Sequence, residues 1–248
     1  MSLRIDKMLA NMGYGTRKEV KKLLKSGVVK IDDVIVKDPK TQVDPTKQVV
    51  TVWGEEVEYK EFIYLMMNKP PGVISATEDM VEETVIDLLE EEDRIFEPFP
   101  VGRLDKDTEG LLLITNDGQL AHQLLSPKKH VPKTYFAIID GEVTEADVEA
   151  FRRGVILDDG YETKPAELAI LKSGIRSDVE VIITEGKFHQ IKRMFQAVGK
   201  RVIYLKRIQM GPLSLDPSLE LGEYRELTDE EVECLKNFSL FDTKKGNL

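Results

Sequence analysis

The chain has few of the residues that build disulfides and metal sites: of 248 residues, one is cysteine, one is tryptophan and three are histidine. Cys234 has no partner for an internal disulfide, so a reducing cytoplasm is the expected setting. His122, His130 and His189 are scattered, and with a single thiol they cannot assemble a zinc cluster. No apolar run approaches the roughly 20 residues that cross a bilayer, and the N-terminus has no signal-peptide core, so no membrane role is expected. Internal repeats and low-complexity tracts are also missing. What is present, 41% hydrophobic and 32% charged residues, suits an ordinary folded protein with room for one large domain and one small one.

A net charge of −10 argues at face value against a nucleic-acid partner. Its distribution weakens the objection. Much of the acid lies in 82–97 and 216–233, whereas the N-terminal segment collects Arg4, Lys7, Arg17, Lys18, Lys21, Lys22, Lys25 and Lys30. Where charge sits governs docking on RNA more than its sum does.

Apolar spacing predicts a helix through Ile5, Met8, Leu9 and Met12 and another through Val20, Leu23 and Leu24, parted by Gly13-Tyr14-Gly15, with Thr16 as N-cap of the second. Val28–Ile31 and Val34–Val36 flank Asp32-Asp33 as a tight hairpin, and Gln48–Trp53 reads as a further short strand. A linker is placed just before the apolar run Phe62–Met67, dividing the chain into 1–58 and 59–248. Beyond it, strands are expected at Leu111–Thr115, Thr134–Ile139, Glu167–Leu171, Val179–Thr184 and Val202–Arg207. Helices are expected at Thr84–Glu90, Gln119–Leu125, Glu145–Arg153, Phe188–Val198 and Asp229–Asn237. Composition alone supports an α+β or α/β class.

The most informative stretch is Gly102-Arg103-Leu104-Asp105-Lys106-Asp107-Thr108-Glu109-Gly110, a dense polar loop set directly against the apolar Leu111–Thr115. Charge beside a core strand is costly unless it is paired or used. Asp105, Asp107, Glu109 and Gly110 fit positions one, three, five and six of a calcium-binding loop. The twelfth position is Asn116 rather than Glu, and a strand follows where a helix should, so calcium is excluded. Taken alone, such a loop would be a solvated turn and Asp105 a salt-bridge partner.

Gly102-Arg103-Leu104-Asp105 followed by Thr108-Glu109-Gly110-Leu111-Leu112 resembles the catalytic loop of the pseudouridine synthases, and the RsuA-type branch in particular. Lys133-Thr134-Tyr135 resembles that family's Lys-x-Tyr element, and Gln190-Ile191-Lys192 its Gln-Ile-Arg element. Residues 4 to 50 resemble the small RNA-binding module of ribosomal protein S-four. It appears in Arg4-Ile5-Asp6-Lys7-Met8-Leu9-Ala10, Gly13-Tyr14-Gly15-Thr16-Arg17-Lys18-Glu19-Val20 and Gly27-Val28-Val29-Lys30-Ile31-Asp32-Asp33. The resemblance implies an α+β fold, with that module followed by a synthase domain built on a mixed, largely antiparallel sheet. It also implies an isomerisation of uridine in ribosomal RNA that needs no metal and no organic cofactor.

By the same resemblance Asp105 is the nucleophile or essential carboxylate, and Arg103 fills the space left by the extruded base. Tyr135 stacks on the uracil and can take its C5 proton, and Leu205 packs below it. Lys192 pairs with Asp105 and keeps it ionised, while Arg193 contacts RNA phosphate or the carboxylates of the loop. Arg17, Lys18, Lys21 and Lys22 lie along RNA phosphates. Glu185–Phe195 and Gly222–Thr228 resemble the small-subunit enzymes, which points to 16S ribosomal RNA or an assembling small subunit; the alternatives are a 23S ribosomal RNA enzyme of the same family and a non-catalytic RNA-binding assembly protein on the same scaffold, the latter expected to lose Asp105. No obligate protein partner is expected.

Overall fold

In the computed structural model, which describes residues 2–241, the N-terminal apolar positions pack on one another. β1 (Leu3–Arg4) leads into α1 (Ile5–Asn11), which buries Ile5, Met8 and Leu9; α2 (Arg17–Lys25) adds Val20 and Leu24 to the same core. Thr16 caps α2 reciprocally: its hydroxyl accepts from the Glu19 N–H, and the Glu19 carboxylate accepts from the Thr16 N–H at 2.7 Å. β2 (Val29–Ile31) and β3 (Val34–Ile35) form the expected hairpin, with Asp32 and Asp33 at φ 48° and 63°, the left-handed pair that a type I′ turn demands. β4 (Gln42–Val43) pairs with β1; β5 (Val50–Val52) pairs with β2, and β6 (Glu55–Glu56) with β5. With the short α3 (Glu91–Arg94), these elements make a unit of residues 2–63 and 89–98.

Residues 64–88 and 99–241 form a second unit around one nine-stranded sheet. Its strands are β7 (Tyr64–Lys69), β8 (Phe99–Pro100), β9 (Glu109–Thr115), β10 (Lys133–Asp140), β11 (Glu167–Lys172), β12 (Arg176–Ile183), β13 (Arg201–Met210), β14 (Leu213–Ser214) and β15 (Tyr224–Glu226). The main order is β11-β12-β10-β13-β9-β7-β15, with β8 on β9 and β14 on β13. All pairings are antiparallel except β13 with β9. The fold is α+β, and its sheet is mixed and largely antiparallel. The one parallel seam rests on two residue pairs, Lys206 opposite Glu109 and Arg207 opposite Gly110.

Alternation along the strands decides what each face carries. Met66, Leu111 and Leu113 point into a core closed by Leu120 and Leu124 of α4 (Gly118–Leu125) and Leu235 of α7 (Asp229–Phe241). α5 (Glu145–Arg153) lies against β11 and α6 (Gln190–Ala197) against β13, and their Phe151 and Phe195 rings meet at 4.8 Å. No helix among the described residues is long and apolar enough to cross a membrane.

The expected helix over Thr84–Glu90 does not form. Thr84 bridges to Ile74, and its N–H and hydroxyl both donate to the Asp87 carboxylate at 2.8 Å, which closes a single turn. Burial of Val85 and Leu89 then holds the segment down, and a short helix starts only at Glu91. α6 likewise begins at Gln190 rather than Phe188, because His189 stands in the left-handed region at φ 48°.

Candidate active site

The loop 102–109 is braced from several sides. Thr108 N–H donates to the Asp105 carbonyl at 3.0 Å, and Gly72 N–H to the Lys106 carbonyl at 2.7 Å. The Ser75 hydroxyl donates to the Leu104 carbonyl at 3.0 Å and accepts from its N–H at 3.1 Å. Below the loop sits Lys69, fully buried, whose ammonium donates to the carbonyls of Pro70 (2.9 Å), Thr108 (3.0 Å) and Lys106 (3.4 Å). Burial pulls its pKa down to about 8, against the opposing charges of Asp107, Asp105 and Glu109.

Sequence reasoning passed over Lys69 as the tail of a strand. The sequence carries no local signal for it, since Lys69 stands between Asn68 and Pro70-Pro71-Gly72 at what reads as the turn after the strand. A neutral amine has two N–H groups for three carbonyls, so the rate should fall as pH rises through about 8. Lys69→Met should lower the single-turnover rate by about 10²-fold, the cost of a small misplacement of a reacting group. An unchanged rate would show that the loop holds its shape without the ammonium.

Asp105 is part-buried, its side chain 27% exposed, and its Oδ2 accepts from Lys192 Nζ at 3.0 Å. The same ammonium donates to Asp107 Oδ1 at 2.6 Å. Burial would lower the pKa of Lys192, but hydrogen bonds to Asp107 and Asp105 outweigh it and raise the value. Burial would raise the pKa of Asp107, and the Lys192 bond and charge bring it below the usual carboxylate range. His189 Nε2 stands 3.7 Å from Asp105 Oδ1, and the exposed Phe188 ring stacks on the imidazole at 3.8 Å.

The turn that aims Lys192 is fixed by Glu185. Its carboxylate accepts from the Tyr161 hydroxyl (2.7 Å), the Gln190 amide (2.8 Å) and the Lys164 N–H (3.0 Å). Neighbouring helix positions diverge by about 100°, so Lys192 and Arg193 cannot both face the loop. Arg193 turns the other way and pairs with Asp158 (2.5 Å) and Asp159 (2.7 Å). The expected contact of Arg193 with Asp107 or Glu109 is therefore not made; Glu109 accepts instead from the Tyr204 hydroxyl at 2.7 Å.

Tyr135 lies on β10 and Leu205 on β13, each 7% exposed, and the Tyr135 hydroxyl bonds to no other described residue. Strand register lines up Lys69, Gly110, Arg207 and Tyr135 as one row across β7, β9, β13 and β10. Arg103 is exposed, with no ion pair among the described residues. Arg17, Lys18, Lys21 and Lys22 are exposed on α2 and belong to the other unit.

Comparison with known proteins identifies the family. The RNA pseudouridylate synthase family matches residues 63–197, and the S4 domain matches residues 3–49. The uncharacterized RNA pseudouridine synthase YtzG of Bacillus subtilis is 58% identical over 94% of this chain and 98% of its own length. Ribosomal small subunit pseudouridine synthase A of Vibrio cholerae is 44% identical, over 93% of this chain and 98% of its own. A crystal structure of a pseudouridylate synthase shares 37% identity at a TM-score of 0.66, covering 94% of this chain and 99% of that one. Likeness of this degree, running through both units, places the chain in the RNA pseudouridylate synthase family, isomerases that act on RNA, with an S4 domain at its N-terminus.

Proposed function

We propose that the chain converts one uridine of ribosomal RNA, in the 16S RNA of the small subunit, to pseudouridine in the cytoplasm. The observation that carries this reading is the 3.0 Å ion pair between Lys192 and the part-buried Asp105. It holds the Asp105 side chain where a ribose can meet it. Asp105 acts on the anomeric carbon, and Arg103, free and exposed on the same loop, fills the gap left by the flipped nucleotide. Tyr135 and Leu205 hold the detached uracil while it turns, and Tyr135 takes the proton from C5. Residues 59–248 do this chemistry.

Residues 1–58 dock the RNA through Arg17, Lys18, Lys21 and Lys22. The small-subunit assignment is supported by the 44% identity to an enzyme named for that subunit.

The test is to incubate the protein with 16S and 23S transcripts and with small-subunit assembly particles, then map pseudouridine. A new site in 16S RNA is the expected result; modification of 23S RNA alone would move the assignment to the large subunit. Changing Arg17, Lys18, Lys21 and Lys22 together to Gln should flatten the salt dependence of RNA affinity, by about 0.7 to 0.9 in log–log slope for each phosphate no longer neutralised. An unchanged slope would make α2 ordinary surface.

A further inference from the structure

Arg207 is 2% exposed in the middle of β13, one of the largest fully buried side chains in the protein. Its Nε donates to the Leu111 carbonyl at 2.8 Å, while its Nη2 is buried with no partner. No carboxylate pairs with it among the described residues. Lys133 lies close by at the start of β10, its ammonium tied to one carbonyl, that of Val131, at 3.1 Å. Burial, and then the charge of Arg207, lowers its pKa to about 8. Arg207 is thus shut into the sheet and the half-buried Lys133 stands by it, with no carboxylate paired to either among the described residues, in a chain whose net charge is −10.

The other cations of this region are answered. Lys192 has Asp105 and Asp107, and Lys69 feels Asp107, Asp105 and Glu109. The row Lys69, Gly110, Arg207, Tyr135 therefore changes character along its length: carboxylates gather at its first end, and positive charge is left over beside Tyr135. A buried charge without a partner is a costly way to fill space, and Met or Gln would pack a similar volume without it. Such a cost points to an anion that is present only during reaction.

We propose that Arg207, with Lys133 beside it, is the fixed counter-charge for the uracil base in its detached, anionic form. This rests on the reading above, in which Tyr135 and Leu205 hold that base; Leu205 and Arg207 lie two apart on one strand and so share a face. When the C1′–N1 bond breaks, its electron pair leaves with the base and spreads over N1, O2 and O4. The pair of electrons for the new C1′–C5 bond comes from the base, C5 then gives up its proton, and N1 ends protonated, so no net charge is gained. A field set in advance lowers the energy of the charge-separated stage and leaves neutral uridine nearly unaffected. Because Nη2 is covered, Arg207 acts through its field and is a positioning residue rather than one that touches the base.

The test uses the full-length protein and 5-nitrouracil, whose neutral and anionic forms differ in absorbance. Bound to the unaltered protein, the anion should be favoured over the neutral form by at least about tenfold more than in water, equivalent to roughly 1.4 kcal/mol. Arg207→Gln should remove that preference, and Arg207→Lys should keep most of it, a distinction that a purely structural role would not make. If Arg207→Gln does not fold, Lys133→Met decides, with an expected weakening of about threefold. Failure of the unaltered protein to bind the anion, or an unaltered preference in whichever variant folds, would overturn the proposal. Failure of the broader reading would show separately, as no pseudouridine formed in RNA while the absorbance shift persists.

Discussion

Asp105→Asn is expected to abolish pseudouridine formation, by about 10⁴-fold or more, the scale on which loss of a reacting carboxylate or hydroxyl is felt in other enzymes. The change is isosteric and removes one acceptor charge. Lys192 keeps Asp107 at 2.6 Å, so the helix that carries it has no reason to move. The Asp105–Lys192 pair is also partly exposed, and solvent screening limits its contribution to folding to within about 1 kcal/mol. RNA affinity and thermal melting should therefore stay close to those of the unaltered protein while the chemistry stops. Full activity in the variant, measured as pseudouridine per RNA in a single turnover, would remove Asp105 from the mechanism. A large drop in melting temperature would instead make it a structural ion pair.

Gly110→Ala should have the largest effect on stability. Gly110 has φ 104°, a region L-residues rarely adopt, and a Cβ there would overlap the Arg207 carbonyl oxygen and lie 2.8 Å from the Arg207 nitrogen. The obstacle is backbone on the neighbouring strand, which cannot swing aside as a side chain can. The left-handed conformation alone costs about 1–3 kcal/mol, and parting the strands adds more. A loss of at least about 4 kcal/mol is expected, which for a chain of this size lowers Tm by roughly 10 °C. Calorimetry checks it, and a shift under about 2 °C would mean that the seam tolerates the extra carbon.

What could be read from the sequence was local. The α2 cap needs Thr16 and Glu19 three residues apart, and the β2–β3 turn needs two adjacent residues that accept positive φ, both visible without a fold. Lys192 was separable from Arg193 only by resemblance; their 100° divergence on a helix explains why one reaches Asp105 and the other Asp158. The Thr84–Glu90 segment misled because Thr84 and Asp87 have helix-starting chemistry, which the bridge to Ile74 diverts into one turn. Lys69 and Arg207 were illegible for a different reason. Their burial comes from strand pairings such as Lys69 with Gly110 and Gly110 with Arg207, 41 and 97 positions apart, and no window along the chain reports those.

The parallel join between β9 and β13 has a consequence for how the enzyme comes into being. Every strand on the Asp105 side of it, save the late β15, is made from residues 64–115, and every strand on the other side from residues 133–214. Asp105 thus emerges from the ribosome long before its ammonium partner Lys192 on α6 and the neighbouring strand β13. At about 5–20 residues per second the first half waits several seconds with its loop unbraced from across the join. The Asp105–Lys192 ion pair can close only once α6 has been made and the second fan of strands docks beside the first.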